Sequence, residues 1–142
     1  MNNDYIISTD KAKIDIEFVH DYLCNHSYWA EGIPMETLEK SIENSLCFGV
    51  YFNNEQVGFA RVISDMATYA YLADVFIVEK ERGKGLSKWL LQEIINYPQL
   101  QGLRRFMLAT RDAHNLYAQY GFSLLKRPER WMERHNPDIY KK

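Results

Sequence analysis

Apolar positions repeat with two different periods along this chain, and the places where the period changes mark its elements. Leu86, Leu90 and Ile94 stand four apart, with Leu91 and Ile95 beside them, the stripe of an amphipathic helix. Directly before it, positions 71–78 are apolar and rich in β-branched residues apart from Asp74, which predicts a mostly buried strand. Nearer the N-terminus, Tyr5-Ile6-Ile7 is β-like. Ile14, Phe18, Val19, Tyr22 and Leu23 then fall at helical spacing behind a cap at Thr9 or Asp10. Met35, Leu38, Ile42 and Leu46 stripe a second helix opened by Pro34. Positions 47–52 and 56–63 read as two strands joined at Asn53-Asn54-Glu55, a hairpin by its turn chemistry. After the central strand and helix, 104–110 predicts another strand and 112–120 a short helix capped by Asp112 and closed by Gly121. A last strand is expected over 122–125, and the polar tail from about 126 is read as solvated.

The predicted order is β-α-α-β-β-β-α-β-α-β. Antiparallel strands followed by a β-α-β unit predict an α/β (α+β) domain, a mixed sheet with helices on its faces. The central strand and 104–110 would run parallel, and a ligand can enter where two such strands diverge.

Composition narrows the class. A chain of 142 residues, 46% hydrophobic and 14% aromatic, can fill the core of one compact domain over positions 1–142. The net charge of −2 gives no global reason to bind nucleic acid or an anionic membrane, so neither is expected as a partner. No run approaches the ~20 apolar residues of a bilayer span, and the first ten positions hold no apolar signal core. Cys24 and Cys47 lack metal-type spacing. They read as reduced thiols of a cytoplasmic protein, and no metal is expected.

The chemistry concentrates between the central strand and its helix, at Arg82-Gly83-Lys84-Gly85-Leu86-Ser87. The first amides of a helix have no partner within it, and its dipole is positive there. Glycine lets a ligand approach the backbone. Lys80, Arg82, Lys84 and Lys88 add positive charge, tempered by Glu79 and Glu81. The turn lacks both a Walker lysine followed by Ser/Thr and the third glycine of a dinucleotide fingerprint. A phosphate-bearing ligand other than ATP or NAD is favoured.

At these residues the sequence resembles the GNAT superfamily of acyl-CoA-dependent N-acyltransferases. The family's Gln/Arg-x-x-Gly-x-Gly/Ala turn stands here as Arg82 to Ser87, with Ser87 in place of Gly/Ala. A second motif, Asn-x-x-Ala-x-x-Leu-Tyr-x-x-x-Gly-Phe, runs from Thr110 to Phe122. Ala113, Leu116, Tyr117, Gly121 and Phe122 are in place, and Thr110 stands at the Asn position.

The resemblance implies a GNAT-like, mostly antiparallel sheet of six to seven strands flanked by about four helices. It implies acetyl-CoA as co-substrate and a primary amine of a small molecule, amino acid or peptide as acceptor. The diphosphate would lie on the amides of Arg82, Gly83, Lys84, Gly85, Leu86 and Ser87, with Thr110 nearby. The pantetheine arm would pair with the backbone of Val75, Phe76 and Ile77. Tyr117 matches the family's general acid, with Tyr120 the weaker choice. Asp74, the one carboxylate of the central strand, is the candidate base or a structural hydrogen-bonding group. Glu31, His114 and water are the other bases weighed. Tyr28, Trp29 and Glu31 would form an aromatic acceptor wall with one anion. Arg61 and Arg111 are an alternative set, for a substrate carboxylate. A domain that holds acyl-CoA as a sensor without turnover is the competing reading, and a homodimer is left open.

Overall fold

Two hairpins form the middle of the sheet because short turns join its second, third and fourth strands, while two helices lie between the first strand and the second. The computed structural model describes residues 4–141. The first three residues of the polar N-terminal stretch and the last residue of the tail lie outside it. Strands β1 (Tyr5–Ser8), β2 (Leu46–Phe52), β3 (Glu55–Ser64), β4 (Tyr69–Ile77) and β5 (Arg105–Leu108) form one sheet in that order. The first four pair antiparallel, and β4 pairs parallel with β5. Helices α1 (Ile16–His26), α2 (Met35–Glu43), α3 (Leu86–Ile95) and α4 (His114–Ala118) complete the fold.

Local chemistry accounts for most boundaries. The Asp15 carboxylate accepts the Phe18 amide at 3.1 Å and caps α1. Asn53 and Asn54 both sit at positive φ, as a two-residue hairpin turn of the primed kind requires. Along β2, alternate side chains serve two cores. Phe48 and Val50 join α3's Leu86, Leu90, Leu91 and Ile94 on one face. Cys47 joins α1's Val19 and Leu23 and α2's Leu38 and Ile42 on the other.

Three expectations need correction. Among the described residues the sheet has five strands rather than six or seven, because 122–125 is irregular. Phe122 instead turns its ring against Phe106 and Tyr117, its amide donates to the Tyr117 carbonyl, and Leu124 is left exposed. A β-like composition makes no strand where no neighbouring strand offers its ladder. Asp112 does not cap α4, since the Ala113 amide there donates to Thr110 Oγ1 at 3.0 Å. The tail is not simply solvated. Trp131 lies 4.6 Å from the Arg105 guanidinium, and Tyr140 packs on the α1–α2 core.

Candidate active site

The site begins with an irregularity in β4. Phe76 pairs with Phe59 and Ala73 with Arg61, so Asp74 and Val75 together face one residue of β3. That is a β-bulge, and Asp74 takes φ +56° within it. The extra residue reverses the inside–outside parity. Ala70 and Leu72 face the α3-side core, whereas Phe76 belongs to the opposite core. Pairing with β5 ends at Leu72 and Leu108. Beyond that point Val75, Phe76 and Ile77 run on without a β5 partner, and Ile77 lines a cavity.

The bulge is held by side chains. Asp74 Oδ2 accepts from Arg61 Nε at 2.8 Å, and Oδ1 accepts from Trp29 Nε1 at 2.9 Å. Arg61 also donates to Ser45 Oγ at 3.2 Å. The Asp74 and Arg61 side chains are 8% and 16% exposed, so each neutralises the other where solvation is weak. Both carboxylate oxygens therefore have donors already, and Arg61 is committed to Asp74 rather than to a substrate carboxylate.

At the C-terminal end of β4 the chain passes through a 3-10 turn, Glu79–Glu81, into residues 82–87. Gly83 and Gly85 take φ +80° and +82°, and a Cβ built at either would meet nothing within 4 Å. Gly85 caps α3 without a side chain, so the helix's first amides face open space. A cavity of about 330 Å³ lies there, lined by the turn together with Ile77, Lys88 and Leu116. Its glycines, free amides and helix dipole suit a diphosphate.

Side chains around the turn mostly brace it. Arg82 Nε donates to the Ile77 carbonyl at 2.9 Å, and its Nη2 donates to Tyr22 Oη at 2.9 Å. Tyr22 in turn stacks on Phe76, with ring centroids 3.8 Å apart. Lys84 Nζ donates to Glu81 Oε2 at 2.8 Å, and Tyr5 Oη donates to the same oxygen at 2.6 Å. The hydrogen bonds from Lys84 and then Tyr5 hold the Glu81 carboxyl below its usual range, and the bond to Glu81 raises the Lys84 ammonium. The sequence pattern gave no sign of the Tyr22 and Tyr5–Glu81 braces. Tyr22 stands in an apolar helical stripe, and Tyr5 is far away along the chain.

Helix α4 contributes Leu116 to this cavity. Burial, with Tyr28 a lesser cause, pushes the Tyr117 phenol above its ordinary value. Thr110 Oγ1 accepts the Ala113 amide, which stitches the turn before α4. Tyr120 Oη donates to the Lys88 carbonyl at 3.0 Å and ties α4 to the first turn of α3.

The α1–α2 connection supplies the third side. Its anchors are Ala30 and Ile33, both buried, and Ser27, whose hydroxyl donates to the Leu23 carbonyl and accepts the Ala30 amide. Tyr28 and Trp29 remain 47% and 41% exposed. The loop aromatics are thus presented outward rather than spent as anchors. The Tyr28 ring carries the Arg111 guanidinium 3.8 Å from its centroid, and its hydroxyl accepts the Arg111 amide. Tyr28, Trp29 and Glu31 line a second cavity of about 490 Å³, whose opposite wall comes from the C-terminal segment. The structure therefore gathers the turn, the end of β4 at Ile77 and Leu116 of α4 around one cavity. The acceptor candidates line a separate cavity, and Trp29 reaches β4 through Asp74.

Known proteins resemble the chain at each level. The profile of the Acetyltransferase (GNAT) family matches residues 16–122. A candidate acetyltransferase from Gibberella zeae is 34% identical, the match covering 82% of this chain and 77% of that one. A crystal structure of a candidate GNAT-family acetyltransferase from Xanthomonas campestris pv. campestris superposes with a TM-score of 0.96 at 48% identity, covering 97% of each chain. A GNAT family acetyltransferase from Elizabethkingia anophelis, solved with acetyl-CoA bound, shares the fold at a TM-score of 0.66 and 17% identity, over 88% of this chain and 80% of that one.

Proposed function

The chain belongs to the GNAT family of acetyltransferases, and from that premise we propose that it moves an acetyl group from acetyl-CoA to a primary amine of a small molecule, amino acid or peptide. The observation that carries this reading is the unpaired end of β4. It begins where pairing with β5 stops at Leu72 and Leu108 and leads to the open turn at Gly83 and Gly85.

Acetyl-CoA bound there would supply a thioester for the amine to attack, one C–N bond forming as one C–S bond breaks and the amine's proton balancing the released thiol. The chain's own residues bind and aim it. Amides of 82–87 meet the diphosphate, with the α3 dipole behind them. The backbone of Val75 offers strand-like pairing, whereas Phe76 is already paired with Phe59 of β3. The Ile77 carbonyl is already taken by Arg82, so that position contributes through its amide and its packing. Asp74 acts by shape, holding the bulge through Arg61 and Trp29. Tyr117 Oη keeps its proton through the neutral range, as a phenol with an ordinary pKa near ~10 does and as burial reinforces, so it can donate to a leaving thiolate. Tyr28, Trp29 and Glu31 receive the amine.

The test is thiol release from acetyl-CoA across a panel of primary amines. Tyr117→Phe should lower kcat by about 100-fold and leave acetyl-CoA affinity within a factor of about two, since the phenol lies at the reacting end. Tight acetyl-CoA binding with no release for any amine would replace this reading with that of an acyl-CoA sensor.

A further inference from the structure

Helix α4 carries Tyr117 but has little of its own to hold it. It spans five residues, has no side-chain cap and buries none of them. A helix of that length is not stable by itself in water, so its position comes from what it touches. Leu116, Tyr117 and Tyr120 pack on the α3-side core. Tyr117 also meets the Phe122 ring edge-on, with centroids 6.0 Å apart. Apolar packing of this kind is non-directional. It keeps the helix on the core without fixing where along the core it stands.

One bond fixes that. Among the described residues, the 3.0 Å bond from Tyr120 Oη to the Lys88 carbonyl is the only hydrogen bond joining residues 114–122 to another helix or strand. Lys88 stands in the first turn of α3 and lines the cavity at the glycine turn. On its backbone side Tyr120 is bonded to Tyr117, whose carbonyl accepts the Tyr120 amide at 2.9 Å. Two hydrogen bonds thus lead from the rim of that cavity to the backbone of Tyr117. The Tyr120 hydroxyl proton is committed to a carbonyl, which leaves proton donation to Tyr117.

We propose that Tyr120 is a positioning residue: its hydroxyl sets α4 against the first turn of α3 and so fixes the reach of the Tyr117 phenol from the amides of 82–87. This rests on the acetyl-transfer reading above. A thioester held by its diphosphate is aimed from that end. The phenol that protonates the departing sulfur has to be held in the same frame, and the path from Lys88 through Tyr120 to Tyr117 supplies it.

Tyr120→Phe removes the hydroxyl and keeps the ring. With a primary amine that the wild type acetylates, kcat should fall about fivefold, the share of one hydrogen bond. Acetyl-CoA affinity by calorimetry should stay within a factor of about two. The deciding measurement repeats the substitution in a Tyr117→Phe background. A residue that acts through the phenol has nothing to position once the phenol is gone, so the further loss there should be under about twofold. A merely structural role would cost the same factor in both backgrounds. Independently of turnover, hydrogen exchange at the Tyr117, Tyr120 and Phe122 amides should quicken several-fold in Tyr120→Phe, while α3 amides keep their rates. The proposal is overturned if kcat is unmoved, if both backgrounds lose the same factor, or if exchange is unaltered. Thiol release absent with every amine overturns the transfer reading instead, and the exchange comparison then decides the tether by itself.

Discussion

The turn at 82–87 and the loop that carries Tyr28, Trp29 and Glu31 line two separate cavities, one built of backbone and the other of side chains. At the turn, two glycines at positive φ expose amides to open space, and charged side chains face away to brace it: Lys84 onto Glu81, Arg82 onto Ile77 and Tyr22. On the acceptor side the backbone is buried at Ala30 and Ile33, and Tyr28 and Trp29 do the presenting. Their positions depend on Asp74, Arg61 and Arg111 and on a tail about a hundred residues further along the chain. A backbone site is insensitive to most substitutions but cannot tolerate a side chain in its cradle. A side-chain site can be retuned, at the risk of unpairing what holds it.

That contrast can be broken in either direction. Asp74→Ala leaves Arg61 without its counter-charge and Trp29 without its acceptor. It should cost about 3 kcal/mol of stability, as unpairing a buried ion does, and lower Tm by roughly 9 °C. Thermal melting with and without acetyl-CoA would check it. A large loss of acetyl-CoA affinity with unchanged Tm would erase the distinction between the two sides.

Gly85→Glu makes the opposite cut. A Cβ there meets no atom within 4 Å, so the fold should survive the backbone strain of about 1–2 kcal/mol. Acetyl-CoA affinity should fall by about 100-fold, roughly 2.8 kcal/mol, because a carboxylate then stands where the diphosphate belongs. Gly85→Ala separates strain from charge and should lose far less. Unchanged affinity on titration of Gly85→Glu would remove the turn from the site.

Brace and cradle can also be separated by pH. The Glu81 carboxyl titrates below its unfolded value of about 4.3, held there by Lys84 and Tyr5. Its stabilisation is therefore complete above that value and is lost as pH falls through the folded pKa. Lys84 is raised, so its share is complete below the unfolded value of about 10.4 and is lost as pH rises through its folded pKa. Urea midpoints between neutral pH and pH 3 should fall more steeply for wild type than for Glu81→Gln. Parallel slopes would show that the brace carries no titration-linked stability.

The smallest effect is a reporter for the acceptor side. Burial pushes the Cys47 thiol up to about 11, and it lies in the core beneath α1 and α2. Cys24 is half-buried. At pH 8 a maleimide should label Cys24 first and reach Cys47 only through opening of that face. Asp74→Ala should speed the slow phase, and a Cys47 that labels as fast as Cys24 in wild type would contradict its burial.

Contiguous features were legible in the sequence. The α3 stripe from Leu86 to Ile95, the Asn53-Asn54 turn and the glycine turn each occupy a few neighbouring residues, and their chemistry is local. So the helix, the hairpin, the open glycine turn and the family resemblance could be read from spacing and residue type. The overestimated strand count has the same origin in reverse. Residues 122–125 have strand-like composition, but a strand exists only if a neighbour offers its edge, and composition does not report neighbours.

What only the tertiary structure decided are the facts that join distant residues. Alternation alone could not show that Asp74 sits in a bulge, because the shift is defined by pairing with Phe59 and Arg61 on another strand. Nor could it show that Arg61 is committed to Asp74, that Glu81 is buried against Tyr5, or that the tail closes over Tyr28 to Gly32. Local sequence fixes backbone preference and hydrophobic period, because those act over a turn or two of chain. Charge pairing and cavity walls depend on three-dimensional separation, which is set once the sheet has closed.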